Sequence, residues 1–146
     1  MLTNGIDEVK RYGEGTYGDS LVYVSGPSLD APTSIQDFAS GGSGNDTILG
    51  TSFGNTMFGG TGHDVLIGYG AAKTYGTDQL YGGDGDDTIV HGGGLGELFG
   101  GAGDDIMEGG GGSDAVDMDG GEGNDTMFGS LYGDTDMFGG DGDDYL

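Results

Sequence analysis

From residue 41 onward the apolar residues fall in short triplets, and the middle member of each triplet is the steadiest feature of the chain. The series runs Ile48, Met57, Leu66, Leu80, Ile89, Leu98, Met107, Val116, Met127, Met137 and Tyr145. Side chains alternate across a strand, so this pattern predicts three-residue strands that bury the central residue and turn its neighbours outward. The third member should therefore face solvent, yet it reads Leu49, Phe58, Ile67, Tyr81, Val90, Phe99, Phe128, Phe138 and Leu146, with Glu108 and Asp117 as exceptions. Stacked at about 4.8 Å per layer, Phe58, Tyr81, Phe99 and Phe138 would form an aromatic ladder on one sheet. Ordinary β-propensity accounts for such residues, and so does a contact surface for another chain.

The polar stretches between triplets repeat as well. A six-residue phrase, two glycines, a third glycine two places on and a closing aspartate, returns as GGSGND at 41–46, GGTGHD at 59–64, GGDGDD at 82–87, GGAGDD at 100–105, GGEGND at 120–125 and GGDGDD at 139–144. The phrases start 18, 23, 18, 20 and 19 residues apart, which is two nine-residue units per coil plus small insertions. A fixed period of this kind means a solenoid, with residues 41–146 as its body. Between the intact phrases lie altered ones: GTSFGN at 50–55, GYGAAKTYGTD at 68–78, HGGGLG at 91–96, GGGGSD at 109–114 and GSLYGDTD at 129–136. Successive half-turns alternate sides, so the intact turns line one edge and the altered turns the other.

The intact phrase suits calcium. That ion takes six to eight oxygens and accepts backbone carbonyls as readily as carboxylates, and glycine lets a loop adopt φ > 0 so that its carbonyls aim at a shared point. Six stacked phrases enclose five gaps. On the altered edge the sixth position reads Asn55, Asp78, Gly96, Asp114 and either Asp134 or Thr135, so a second complete row of sites is not expected. Phe53, Tyr75, Leu95 and Tyr132 sit near the fourth position there and are expected either to tuck under the turns or to be drift in released loops. His63 and His91 are expected as solvated surface residues.

Charge and composition sharpen this picture. Glycine at 38 of 146 residues would signal disorder if it were aperiodic; here it keeps register. Twenty-six acidic against three basic residues give a net charge of −23, which argues against nucleic acid and anionic membranes and calls for multivalent cations. No apolar run is long enough to span a membrane, so membrane insertion is not expected, and the first residues lack the apolar core of a cleaved leader. There is no cysteine, no HExxH or GxSxG phrase and no nucleophile beside a base, so no enzymatic activity is expected. Residues 1–40 lie outside the repeat. Leu21–Val24 reads as a strand, and the segment is expected to cap or dock on the first coil.

Taken together, the six phrases and their triplets resemble the repeats-in-toxin (RTX) calcium-binding β-roll family. The resemblance implies an all-β fold, a right-handed parallel β-roll of about 18 residues per coil with a calcium row on one edge. It implies that Asp46, Asp64, Asp87, Asp105, Asp125 and Asp144 are carboxylate ligands. Backbone carbonyls of Gly42, Gly44, Gly60, Gly62, Gly83, Gly85, Gly101, Gly103, Gly121, Gly123, Gly140 and Gly142 would complete the shells of about five Ca2+ ions. It further implies secretion to the medium or surface of a Gram-negative-type bacterium by a one-step export system, although the family's usual C-terminal secretion segment is not recognisable. The expected role is an extracellular structural module that folds on calcium and associates end to end or through its aromatic ladders, forming filaments or a surface layer. The alternatives are an accessory roll of a secreted protease, lipase or epimerase and a segment of an adhesin.

Overall fold

A computed structural model describes residues 9–12, 21–24, 36–50, 54–68, 76–112, 114–133 and 135–146. In chain order the strands are β1 (Val9–Tyr12), β2 (Leu21–Val24), β3 (Gln36–Ser43), β4 (Thr47–Leu49), β5 (Gly54–Thr61), β6 (Val65–Ile67), β7 (Thr77–Asp84), β8 (Thr88–Val90), β9 (Leu95–Ala102), β10 (Ile106–Glu108), β11 (Val116–Glu122), β12 (Thr126–Phe128) and β13 (Thr135–Asp141). The short strands β4, β6, β8, β10 and β12 stack in parallel, and β2 and then β1 extend that sheet at one end. Among the described residues only the β1–β2 pair is antiparallel. The long strands β3, β5, β7, β9, β11 and β13 form the second parallel sheet. Each coil of this β-solenoid thus contributes one long and one short strand, as the nine-residue phrasing requires.

The core is a single file of side chains from each sheet. Ile48, Leu66, Ile89, Met107 and Met127 come from the short strands, and Ala39, Met57, Leu80, Leu98 and Met118 from the long ones, with Met137 partly buried behind them. Burying each of the larger ones contributes about 1.5–3 kcal/mol. Two expected core positions move. Met118 pairs in register with Leu98 and Met137, so it holds the central place expected for Val116. Val116 is buried too, but it pairs with Gly96 and Thr135, two residues earlier along the strand. The outward residue of that strand is therefore Asp119, not Asp117. Tyr145 bridges to Thr126, one place short of the core row, and is 65% exposed. It directly follows Asp144, and a residue next to the closing aspartate of a phrase faces out.

The aromatic ladder forms on the long-strand sheet. Phe58 and Tyr81 stack with centroids 4.7 Å apart, and Tyr81 and Phe99 at 4.8 Å, with ring planes within 5° in both pairs. Phe38 extends the row at 5.6 Å in a tilted contact. Phe138 lies in the same column, but Asp119 separates it from Phe99.

Candidate calcium edge

The six intact turns stack directly over one another, and the register is kept through their second glycines: Gly42 pairs with Gly60, Gly60 with Gly83, and so on through Gly101, Gly121 and Gly140. Only glycine fits this stack. Gly60 and Gly62 have φ of 120° and 128°, a region that side chains disfavour. A Cβ on either would strike the carbonyl oxygen at the same position of the preceding turn, Gly42 or Gly44. The same holds for the second and fourth glycines of the later turns, Gly83, Gly85, Gly101, Gly103, Gly121, Gly123, Gly140 and Gly142. In each gap, then, the second and fourth carbonyls of one turn point at the next.

The sixth-position aspartates form a continuous chain within this stack. The backbone N–H of Asp46 donates to Asp64 Oδ1 at 2.7 Å, Asp64 to Asp87 at 2.7 Å, Asp87 to Asp105 at 2.7 Å, Asp105 to Asp125 at 2.9 Å and Asp125 to Asp144 at 2.9 Å. One oxygen of each carboxylate from Asp64 to Asp144 is thereby fixed. The other is aimed elsewhere: Oδ2 of Asp87, Asp105 and Asp125 is buried with no hydrogen-bond partner. Beside it lies the first glycine of the same turn, where a Cβ would meet both that Oδ2 and the carbonyl oxygen of the next turn's first glycine: Gly100 for Gly82, Gly120 for Gly100, Gly139 for Gly120. A buried carboxylate oxygen without a partner is costly, and here it shares a side-chain-free space with inward-facing carbonyls.

Electrostatics report the same strain. Burial pushes the Asp105 carboxyl up to about 7 and the Asp87 carboxyl up to about 6. The hydrogen bond from the preceding amide opposes each rise and neighbouring carboxylates add to it. Burial raises Asp125 as well. Among the described residues no three His, Asp or Glu side chains converge on one point, so a cation here would have to take most of its oxygens from the backbone. Calcium does this, and the donor set of stacked carboxylates and carbonyls fits it. The ion would supply the positive charge that these buried oxygens lack.

Sequence reasoning missed a second ladder on this edge, built from fifth-position residues and running in the opposite sense. His63 N–H donates to Asn45 Oδ1 at 2.9 Å, Asp86 N–H to His63 Nδ1 at 2.9 Å, Asp104 N–H to Asp86 Oδ1 at 2.9 Å, Asn124 N–H to Asp104 Oδ1 at 2.8 Å and Asp143 N–H to Asn124 Oδ1 at 3.0 Å. The signal was the preference for Asn, Asp and His at that position, side chains short enough to cap the next amide. His63 is exposed, as expected, but its Nδ1 is an acceptor in this row.

The altered edge corrects several expectations. Its sixth-position row, read from the strand register, is Asn55, Asp78, Gly96, Val116 and Thr135, so Asp114 lies off the row and Thr135, not Asp134, is on it. Asp134 itself lies outside the described residues. Leu95 and Tyr132 are 51% and 79% exposed and do not tuck under the turns; Phe53 and Tyr75 lie outside the described residues. Polar side chains fill that edge instead. Asn55 donates to Asp78 Oδ1 from its backbone at 2.8 Å and from Nδ2 at 2.9 Å. His91, expected on the surface, is fully buried, with Nε2 3.4 Å from Asp78 Oδ2. His91 and Gly96 have exchanged roles: the imidazole from the first position fills the place of the sixth side chain, and a Cβ on Gly96 would lie 2.5 Å from Nε2.

Comparison with known proteins agrees with the geometry. The family model for the RTX calcium-binding nonapeptide repeat matches four times, at residues 40–72, 74–95, 97–117 and 118–146. No curated protein and no solved structure matches the chain. The repeat is a structural calcium-binding element of secreted proteins and is not catalytic by itself. With the family model covering most of the chain and the stacked aspartate edge in place, this chain belongs to the RTX calcium-binding nonapeptide repeat family.

Proposed function

We propose that the chain is an extracellular structural module whose folding is switched by calcium, with one ion in each of the gaps between Asp46, Asp64, Asp87, Asp105, Asp125 and Asp144. The observation that carries this reading is the row of buried Oδ2 atoms on Asp87, Asp105 and Asp125, each beside a carbonyl of the following turn. Five amide-to-carboxylate hydrogen bonds define five such gaps, so about five ions bind in one row. The core, one side chain deep per sheet, does not outweigh chain entropy and the repulsion of a net charge of −23. Metal free energy therefore becomes folding free energy. Calcium scarcity inside a cell and abundance outside would keep the chain open before export and fold it afterwards. Residues 1–40 serve as the N-terminal cap of the roll, consistent with β2 adding in parallel to β4. Side-by-side association of copies is a second reading, favoured by the exposure of Phe38 at 48% and Phe138 at 66% on one sheet face.

Equilibrium dialysis against calcium tests the ion row. The wild-type chain should bind about five ions, one per gap. Asp105→Asn should lose two neighbouring sites together, because one Asp105 carboxylate oxygen engages the preceding turn at Asp87 and the other lies beside the Gly120 carbonyl of the following turn. Asp114→Asn should bind as wild type. Equal losses from both substitutions would contradict a one-sided row.

A further inference from the structure

The aromatic ladder has one missing rung, and what surrounds the gap is not generic surface. Asp119 pairs in register with Phe99 on one side and Phe138 on the other. One face of Phe99 is covered by Tyr81, stacked parallel at 4.8 Å, so its other face looks along the stack into the gap. Two strand spacings separate Phe99 from Phe138, about 9.6 Å. Allowing about 3.5 Å for carbon contact leaves a slot of roughly 6 Å. A cavity of about 180 Å³ occupies it, lined by both rings, Met118, Met137 and three carboxylates, Asp117, Asp119 and Asp136.

Nothing among the described residues relieves the crowding of those carboxylates. Asp117 stands between Glu97 and Asp136 on neighbouring strands, and like charges directly opposite one another destabilise a sheet. Glu97 accepts a hydrogen bond from Gln79 Nε2 at 2.9 Å. Among the described residues no hydrogen bond or ion pair engages Asp117, Asp119 or Asp136.

We propose that this gap binds an organic cation, an alkylammonium or guanidinium head group, held against the faces of Phe99 and Phe138 and neutralised by Asp117, Asp119 and Asp136. Ring faces attract weakly hydrated cations, and a slot one group wide admits a trimethylammonium head or a guanidinium plane. A strongly hydrated divalent ion gains little from ring faces and takes six to eight oxygens, which is the chemistry of the opposite feature, the glycine-rich turns. The slot lies on the sheet face, apart from the turn carbonyls, so its occupancy and that of the calcium row are separable.

The test is nuclear magnetic resonance on the full chain saturated with calcium, titrated with tetramethylammonium, argininamide and the neutral isostere 3,3-dimethyl-1-butanol. Saturable shifts confined to the Phe99 and Phe138 rings and the backbone amides of Asp117, Asp119 and Asp136 are expected for both cations, with the neutral analogue at least about tenfold weaker. Asp119→Phe completes the ladder and closes the slot; it should abolish these shifts while circular dichroism in calcium stays that of wild type. Asp117→Asn with Asp136→Asn should weaken the cations about tenfold and leave the neutral analogue unchanged. Any of three results would overturn the proposal: no saturable shift, equal binding of the neutral analogue, or displacement of the cations by calcium beyond that needed to fold the chain.

Discussion

The carboxylates of the intact turns are built for a partner that is not a proton donor from the chain. Asp87 and Asp105 each hold one oxygen in a hydrogen bond and bury the other beside carbonyls, and burial raises their pKa values to about 6 and about 7 from 3.8. Because the folded values lie above the unfolded one, the ion-free fold binds more protons than the open chain across that interval, and its stability falls as pH rises. Folding without calcium is therefore favoured below about pH 4 and lost as pH rises through 6 to 7, whereas calcium binding strengthens over the same rise because protons leave its ligands. Circular dichroism in calcium-free buffer should show more β-structure at pH 4 than at pH 8; the reverse order would contradict the assignment of these carboxylates. The aspartates themselves were plain in the sequence, since each closes its phrase at the same offset from the paired glycines. His91 was not, because its burial depends on a second change five residues away: with glycine at position 96, the imidazole can enter the space that a sixth-position side chain would fill.

At the level of strands, a triplet succeeds because its centre is buried and its register is enforced from both neighbours. Met107 is fully buried, paired with Ile89 and Met127. Met107→Ala should cost about 2–5 kcal/mol of calcium-bound stability, read as a shift in the denaturation midpoint, while Glu108→Ala next to it, exposed, should change little. A similar small effect from both would mean that the core file is not what holds the coils. The centres from Ile48 to Met107 were legible from the triplets themselves. In the half-turn before β11 they were not: counting from Gly109 lands on Val116, and both Val116 and Met118 are apolar candidates. The choice was settled by pairing to Leu98 and Met137 on the adjacent coils, a long-range constraint that counting along the chain does not carry. The same slip displaced the outward residue and hid the interruption of the aromatic ladder.

For the whole molecule the decisive property is asymmetry. One edge stacks six aspartates with glycine-lined gaps; the other offers Asn55, Asp78, Gly96, Val116 and Thr135 in the equivalent row and closes partly with the buried Asp78–His91 contact. The two edges hence differ in chemistry: the first stacks a carboxylate at every turn, whereas the second buries one, Asp78, beside His91. The coil length and the segregation of intact and altered turns could be read from the period, because a solenoid repeats its local rules, and parallel stacking followed from the family resemblance. How the altered edge is filled could not, since each of its turns departs differently. The most direct test of the account is far-ultraviolet circular dichroism of the full chain at neutral pH, first with calcium removed and then through a calcium titration. A disordered spectrum that converts cooperatively to β-structure at about 10⁻⁴–10⁻³ M calcium is expected; a chain already folded in β-structure before calcium is added would contradict it.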